Sequence, residues 1–159
     1  MMVIDCLVAV ELAVRRNAGQ RFVPIDEVLT RAPQSTSQAP NPLSVPVALT
    51  PSKACPQIRS RPETHLIPDA LYGIEYLIDG EKRYRFWALE CERTSPQFRS
   101  KVSASSSMLK RAAYDALITS GGYKSHWGIP NLKLHLVRPE DYVPSQGAGL
   151  PHSPKSKAG

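Results

Sequence analysis

Three carboxylates on two neighbouring hydrophobic segments are the residues of this chain best placed to do chemistry. Asp69 stands in the pair Pro68-Asp69, and Glu90 and Glu92 stand in Ala88-Leu89-Glu90-Cys91-Glu92. Acids carried on adjacent strands can hold a hard divalent cation through oxygen, and such a cation can activate water against a phosphodiester. Asp69 and Glu90 are the candidate ligands, and Mg²⁺ is the expected ion, because it keeps several waters and takes one or two protein carboxylates beside substrate phosphate. Glu92 can add a third oxygen or polarise the attacking water as a base. It can equally form an ion pair with Arg93 or a nearby lysine.

These acids matter only if the strands bring them together. Residues 67–78 and 83–92 are rich in apolar and aromatic side chains, and Asp79-Gly80 between them is a strong hairpin signal. A two-residue turn pairs Ile78 with Glu81 and sets Asp69 directly opposite Glu90. A four-residue loop over 79–82 sets Asp69 opposite Glu92, with Glu90 on the same face. A three-residue loop would turn one strand over and separate the acids. Directly opposed β-carbons lie about 4.5–5.5 Å apart, where like charges are destabilising unless something neutralises them.

Around the hairpin, residues 4–16 form a helical pattern with Ile4, Leu7, Val8 and Glu11 on one face and Val10 and Val14 close by, closed by a basic end and Gly19. Residues 21–25 suit a short strand and 26–30 one helical turn. Residues 32–62 carry prolines at 33, 40, 42, 46, 51, 56 and 62 among Ser, Thr and Gln, the composition of a flexible insertion. A helix follows over 105–120, with Met108, Leu109, Ala112, Ala113, Ala116 and Leu117 as its apolar stripe and Gly121-Gly122 as its stop. Residues 131–137 alternate as a strand, and 144–159 have the composition of a disordered tail. The expected architecture is one α/β domain over 1–143, with a mixed central sheet flanked by helices in the order α-β-β-β-α-β. On the second helix Lys110 and Tyr114 lie four apart and share a face, so Lys110 can bring positive charge to the acids. Lys101 is a second source of such charge, and Glu11 is an acid set among apolar residues.

At 159 residues the chain can bury one core. It has no apolar run of the roughly 20 residues that crosses a bilayer. Residues 1–14 lack the basic start and small-residue cleavage site of a secretory signal. Three cysteines without CxxC spacing give neither a disulfide framework nor a zinc site, and a cytoplasmic location fits. The net charge of +6 favours a polyanionic partner. Arg83, Arg85, Arg93, Arg99, Arg111 and Lys124 are candidate phosphate contacts, and Tyr123 and Trp127 can stack on a base or pack in the core.

Pro-Asp on one hairpin strand and Glu-x-acid on the next, in this element order, resembles the core of the PD-(D/E)XK nuclease superfamily. Within it, the segments 66–71, 86–94, 110–114 and 128–132, preceded by the helix at 8–13, resemble the plasmid replication-relaxation family. The resemblance implies a nuclease-like fold, Mg²⁺ at Asp69 and Glu90, catalytic roles for Asp69, Glu90, Glu92 and Lys110, and DNA contacts at Arg93, Arg111 and Tyr114. It implies a DNA-associated protein of a plasmid or other mobile element. Family members are usually longer and begin with a winged-helix region, so a winged-helix or replication protein is an expected partner. In active superfamily nucleases a lysine stands two residues after the catalytic Glu, where this chain has Glu92. Two functions are therefore expected: metal-dependent DNA nicking, or DNA or partner binding on a retained nuclease fold.

Overall fold

The computed structural model describes residues 2–49, 63–92 and 101–138. Its backbone is organised by the hairpin of β4 (Ala70–Ile78) and β5 (Glu81–Cys91). Asp79 and Gly80 both take positive φ, 51° and 80°, the conformation of a tight primed turn, and Ile78 pairs with Glu81. The two-residue register holds down to Ala70 opposite Leu89. Strand β1 (Gln20–Val23) pairs antiparallel with β4, and β6 (Lys133–Val137) pairs parallel with β5. The result is a mixed four-stranded sheet in the order β1-β4-β5-β6, flanked by helices.

Both faces of β4 and β5 are covered, which explains why these strands read as nearly continuous apolar runs. Helix α1 (Met2–Arg15) buries Cys6, Val10 and Val14 against Tyr72, Ile74, Trp87 and Leu89 on one face. The two free thiols Cys6 and Cys91 meet there at 3.9 Å, and burial pushes Cys91 up to about 12. On the other face α4 (Lys101–Ser120), α5 (Gly122–Trp127) and α2 (Ile25–Arg31) enclose Leu71, Phe86, Ala88, Tyr114, Leu117 and Trp127. Among the described residues no helix is long and apolar enough to cross a membrane.

Two expectations need correction. The face assigned to α1 is rotated: Ile4 and Val8 are 58% and 48% exposed, and the i, i+4, i+8 series Cys6, Val10, Val14 is the buried one. Both series are apolar, so only the sheet chooses between them. Part of the stretch assigned to a flexible insertion, 32–62, is built into the fold. Gln34–Ser37 forms α3, and β2 (Val45–Ala48) pairs with β3 (Glu63–Leu66) in a second, two-stranded sheet. Val45 and Val47 point inward and Pro46 outward, a pattern an edge strand accepts. Trp127 Nε1–H donates to Pro42 O at 2.9 Å and Thr36 Oγ–H to His126 O at 2.5 Å, locking this stretch to α5. Residues 50–62 of the stretch, and the tail at 144–159, lie outside the described residues. Gly121, at φ 73°, ends α4 at Ser120 as the sequence leads one to expect, and the chain turns there into α5.

Gly73 faces Phe86 across the hairpin, and a β-carbon there would meet the Phe86 ring at 2.6 Å. We expect Gly73→Ala to lower the unfolding free energy by about 1–3 kcal/mol through overpacking, read from the urea midpoint. An unchanged midpoint would show that the Phe86 ring has room to move.

Candidate functional site

The carboxylates gather where β5 ends. Pro68 has no N–H and cannot continue the ladder, so β4 starts only at Ala70. Asp69 N–H donates to Leu89 O at 3.0 Å, although Leu89 is the register partner of Ala70, so two residues of one strand face one of the other. Asp69 Oδ2 accepts the Cys91 N–H at 2.8 Å. The side chain thereby replaces the carbonyl that a continued strand would have supplied. This corrects the expectation that Asp69 would be a plain ladder partner of Glu90: one of its oxygens serves the backbone of β5.

Glu90 shares a face with Phe86 and Ala88, and this face meets α4. It is 8% exposed, a rare state for a carboxylate. Two side chains one helical turn apart meet it. Tyr114 O–H donates to Oε1 at 2.5 Å, and Lys110 Nζ lies 2.8 Å from Oε2. The expected shared face of Lys110 and Tyr114 is therefore present and aimed at Glu90. Burial raises the Glu90 carboxyl above the ordinary carboxylate range, while Lys110 and Tyr114 pull it down and the nearby Asp69 charge adds to the rise. Tyr114 is itself held far up by burial and by its bond to the carboxylate.

Glu92 follows the end of β5, half-buried, and its N–H donates to Val137 O at 2.8 Å. Arg111 is exposed on α4 beside Lys110. Arg93, the third expected nucleic-acid contact, lies outside the described residues, as does Arg99. Tyr114 was expected to touch nucleic acid, but it is 2% exposed with its hydroxyl on Glu90, so its ring lies in the core. Glu11 pairs with Arg15 at 2.8 Å on α1 and lines an apolar groove of about 350 Å³ whose far wall includes Asp69, Ala70 and Tyr72. Lys101 opens α4.

As arranged, three of the four carboxylate oxygens of Asp69 and Glu90 already have partners. Glu90 already has an ammonium on one oxygen and a phenol on the other, and Asp69 has one oxygen committed to Cys91 N–H. Among the described residues no group of three or more His, Cys, Asp or Glu side chains gathers as a metal site would. What the site does is neutralise a buried anion with a cation from α4, so that helix and sheet are tied by charge.

Sequence reasoning missed two further polar clusters. Tyr72 O–H and His135 Nδ1 meet at 2.7 Å under α1, with burial lowering the histidine. Glu75 accepts from Arg21 at 2.9 Å and from the Tyr84 hydroxyl at 2.8 Å, and Arg21 also holds Glu27 at 2.7 Å. The register pairs Glu75 with Tyr84 and Arg21, so the hairpin phase could have revealed it.

The Glu90 shift has a defined sign. The native state holds this proton more tightly than the unfolded chain, so stability falls as pH rises above the ordinary value of 4.5 and levels off once Glu90 is ionised in the native state. Tyr114→Phe removes a donor that favours the anion. It should extend that falling window to higher pH and cost about 1–3 kcal/mol at neutral pH, whereas Glu90→Gln should flatten the window. Urea unfolding measured across pH tests both, and a Glu90→Gln profile matching the parent would exclude this group as its source. Compared with known proteins, the chain matches no family model, no curated protein and no solved structure at a significant level.

Proposed function

We propose that this chain is a DNA-associated protein of the replication-relaxation type, serving a plasmid or other mobile element, that uses a nuclease-like core to bind rather than to cut. One observation carries the reading. The four-stranded sheet is assembled by α1, β1, β4, β5, α4 and β6 in the order α-β-β-β-α-β, with the acid of β5 facing a lysine of α4. That order is the one the resemblance to PD-(D/E)XK cores anticipates, and the α4 lysine takes the place of the strand lysine this chain lacks. The net charge of +6 agrees with a polyanionic partner, and a replication protein or a winged-helix protein fits as a second partner.

Binding is preferred to cleavage because of where the charges have gone. A divalent ion entering between Asp69 and Glu90 would have to displace the Lys110 ammonium from a carboxylate that is 8% exposed. Glu92 stands where active members of the superfamily carry a lysine. Lys110 reaches the acid from α4, but its charge is spent on Glu90. Metal-dependent nicking is the second reading, favoured by the closeness of Asp69 to Glu90.

Supercoiled plasmid incubated with the protein and Mg²⁺ separates them. The expected result is a retarded complex with no conversion to nicked or linear DNA, and the same outcome for Asp69→Ala. Conversion that needs Mg²⁺ and vanishes in Asp69→Ala would replace the binding reading with the nicking one. Absence of any complex would remove the DNA assignment altogether.

A further inference from the structure

At the opposite end of β5 from the acids, the strand is one-sided. Strand β6 begins at Lys133, opposite Trp87, so residues 81–86 of β5 have no strand on their β6 side. Asn131 closes part of that edge: its Oδ1 accepts the Phe86 N–H at 3.0 Å and its Nδ2 donates to Tyr84 O at 2.9 Å. Beside it lies an open groove of about 470 Å³, lined by Glu81, Lys82, Arg83, Tyr84, Arg85 and Asn131.

Alternation along β5 puts Arg83 and Arg85 on the same face as Trp87, at the edge of the layer under α1, where Arg85 is half-buried and Arg83 exposed. Lys133, in register with Trp87 and exposed, continues that face onto β6. Lys82 borders the groove from the other face. Three cations, Lys82, Arg83 and Arg85, thus line the groove with one carboxylate, Glu81, and Lys133 stands next along the sheet face. That carboxylate neutralises little. The Glu81–Arg83 pair, at 3.3 Å, joins side chains 74% and 65% exposed, and such surface pairs are worth little. Lys82 reaches Glu75 only at 4.0 Å, and Glu75 is already held by Arg21 and Tyr84. Among the described residues Arg85 forms no ion pair.

We propose that this groove, not the carboxylate end of the hairpin, receives the phosphate backbone of double-stranded DNA. The proposal rests on the DNA reading above and assigns it a surface. Arg83 and Arg85 are two residues apart, about 6.7 Å along the strand, and a duplex offers a charge roughly every 3.4 Å of axis on each of its strands. Two arginines on this pitch can each hold a phosphate of the same DNA strand, with the planar fork of each guanidinium donating two N–H groups to phosphate oxygens. Lys133 and Lys82 add charge on either flank. No base edge is addressed, so binding is independent of sequence and steeply salt-dependent.

The test measures anisotropy of a fluorescein-labelled duplex across salt concentrations with the full chain. Variants are Arg83→Ala with Arg85→Ala, the charge-keeping Arg83→Lys with Arg85→Lys, and Arg16→Ala, exposed after the end of α1, as a comparison. The double alanine variant should weaken binding by about tenfold or more and reduce the slope of log K against log salt by about 2, one for each lost phosphate contact. The double lysine variant should keep the slope, which also shows that the hairpin tolerates replacement. Arg16→Ala should change neither. If the double alanine variant binds with parental affinity and slope, the groove is not the DNA surface, although the DNA reading survives. If the parent chain fails to bind the duplex at low salt, the DNA reading fails and this surface falls with it.

Discussion

The register of the β4–β5 hairpin is the constraint on which the rest of the molecule depends. Positive φ at Asp79 and Gly80 joins the strands in two residues, and from that point each partner is fixed. Gly73 must face Phe86, which leaves room for the ring, and Glu75 must face Tyr84, which supplies its hydroxyl. A slip of one residue would move every side chain of one strand to the other face. Cys91 would then leave Cys6, and Glu90 would turn from α4 toward the apolar layer of Val10 and Val14.

That last displacement shows why the acid is tied so closely. A carboxylate taken out of water loses its hydration, and only a charge partner together with hydrogen bonds can offset the loss. Lys110 and Tyr114 supply both from one helix face, so the correct angular setting of α4 is the one in which the buried charge is compensated. Any rotation of α4 leaves Glu90 with one donor or none. The pair adds little as net energy and much as a restriction on packing alternatives. Asp69 plays the corresponding part within the sheet plane. It supplies an acceptor where Pro68 prevents a strand from doing so, and the last ladder N–H of β5 on that side is not left bare.

Much of this was legible in the chain, for physical reasons that differ by element. Asp79-Gly80 specifies a turn, so the hairpin follows from local chemistry, and the positive φ at both residues selects the two-residue register from the two even loops the sequence allows. Lys110 and Tyr114 follow from helical period. The phase of α1 did not, because Ile4, Val8 and Leu12 form as good an apolar series as Cys6, Val10 and Val14, and only contact with the sheet separates them. The strand at Val45–Ala48 was hidden by proline density. Its alternation spans four residues, and its stability comes from β3 and from the layer of α4 and α5, none of it local. Tyr114 was misassigned because a tyrosine on an α4 face suits a ligand and a buried carboxylate equally until the distance between helix and strand is fixed.

Strand β5 is electrically divided along its length. Lys82, Arg83 and Arg85 occupy the hairpin end and Glu90 and Glu92 the other, separated by Phe86 to Leu89, all buried. The five residue steps of extended chain from Arg85 to Glu90 span about 17 Å, roughly two Debye lengths at physiological ionic strength. The two ends are therefore felt separately by an approaching charge. The cationic end sits in an open groove at the sheet edge, whereas the anionic end is compensated by Lys110, buried at Glu90 and used in part for backbone bonding at Asp69. The Glu81–Arg83 pair at the hairpin end stands in solvent, whereas Glu90 meets Lys110 out of water, so one strand carries an ion pair where it is worth little and another where it restricts packing.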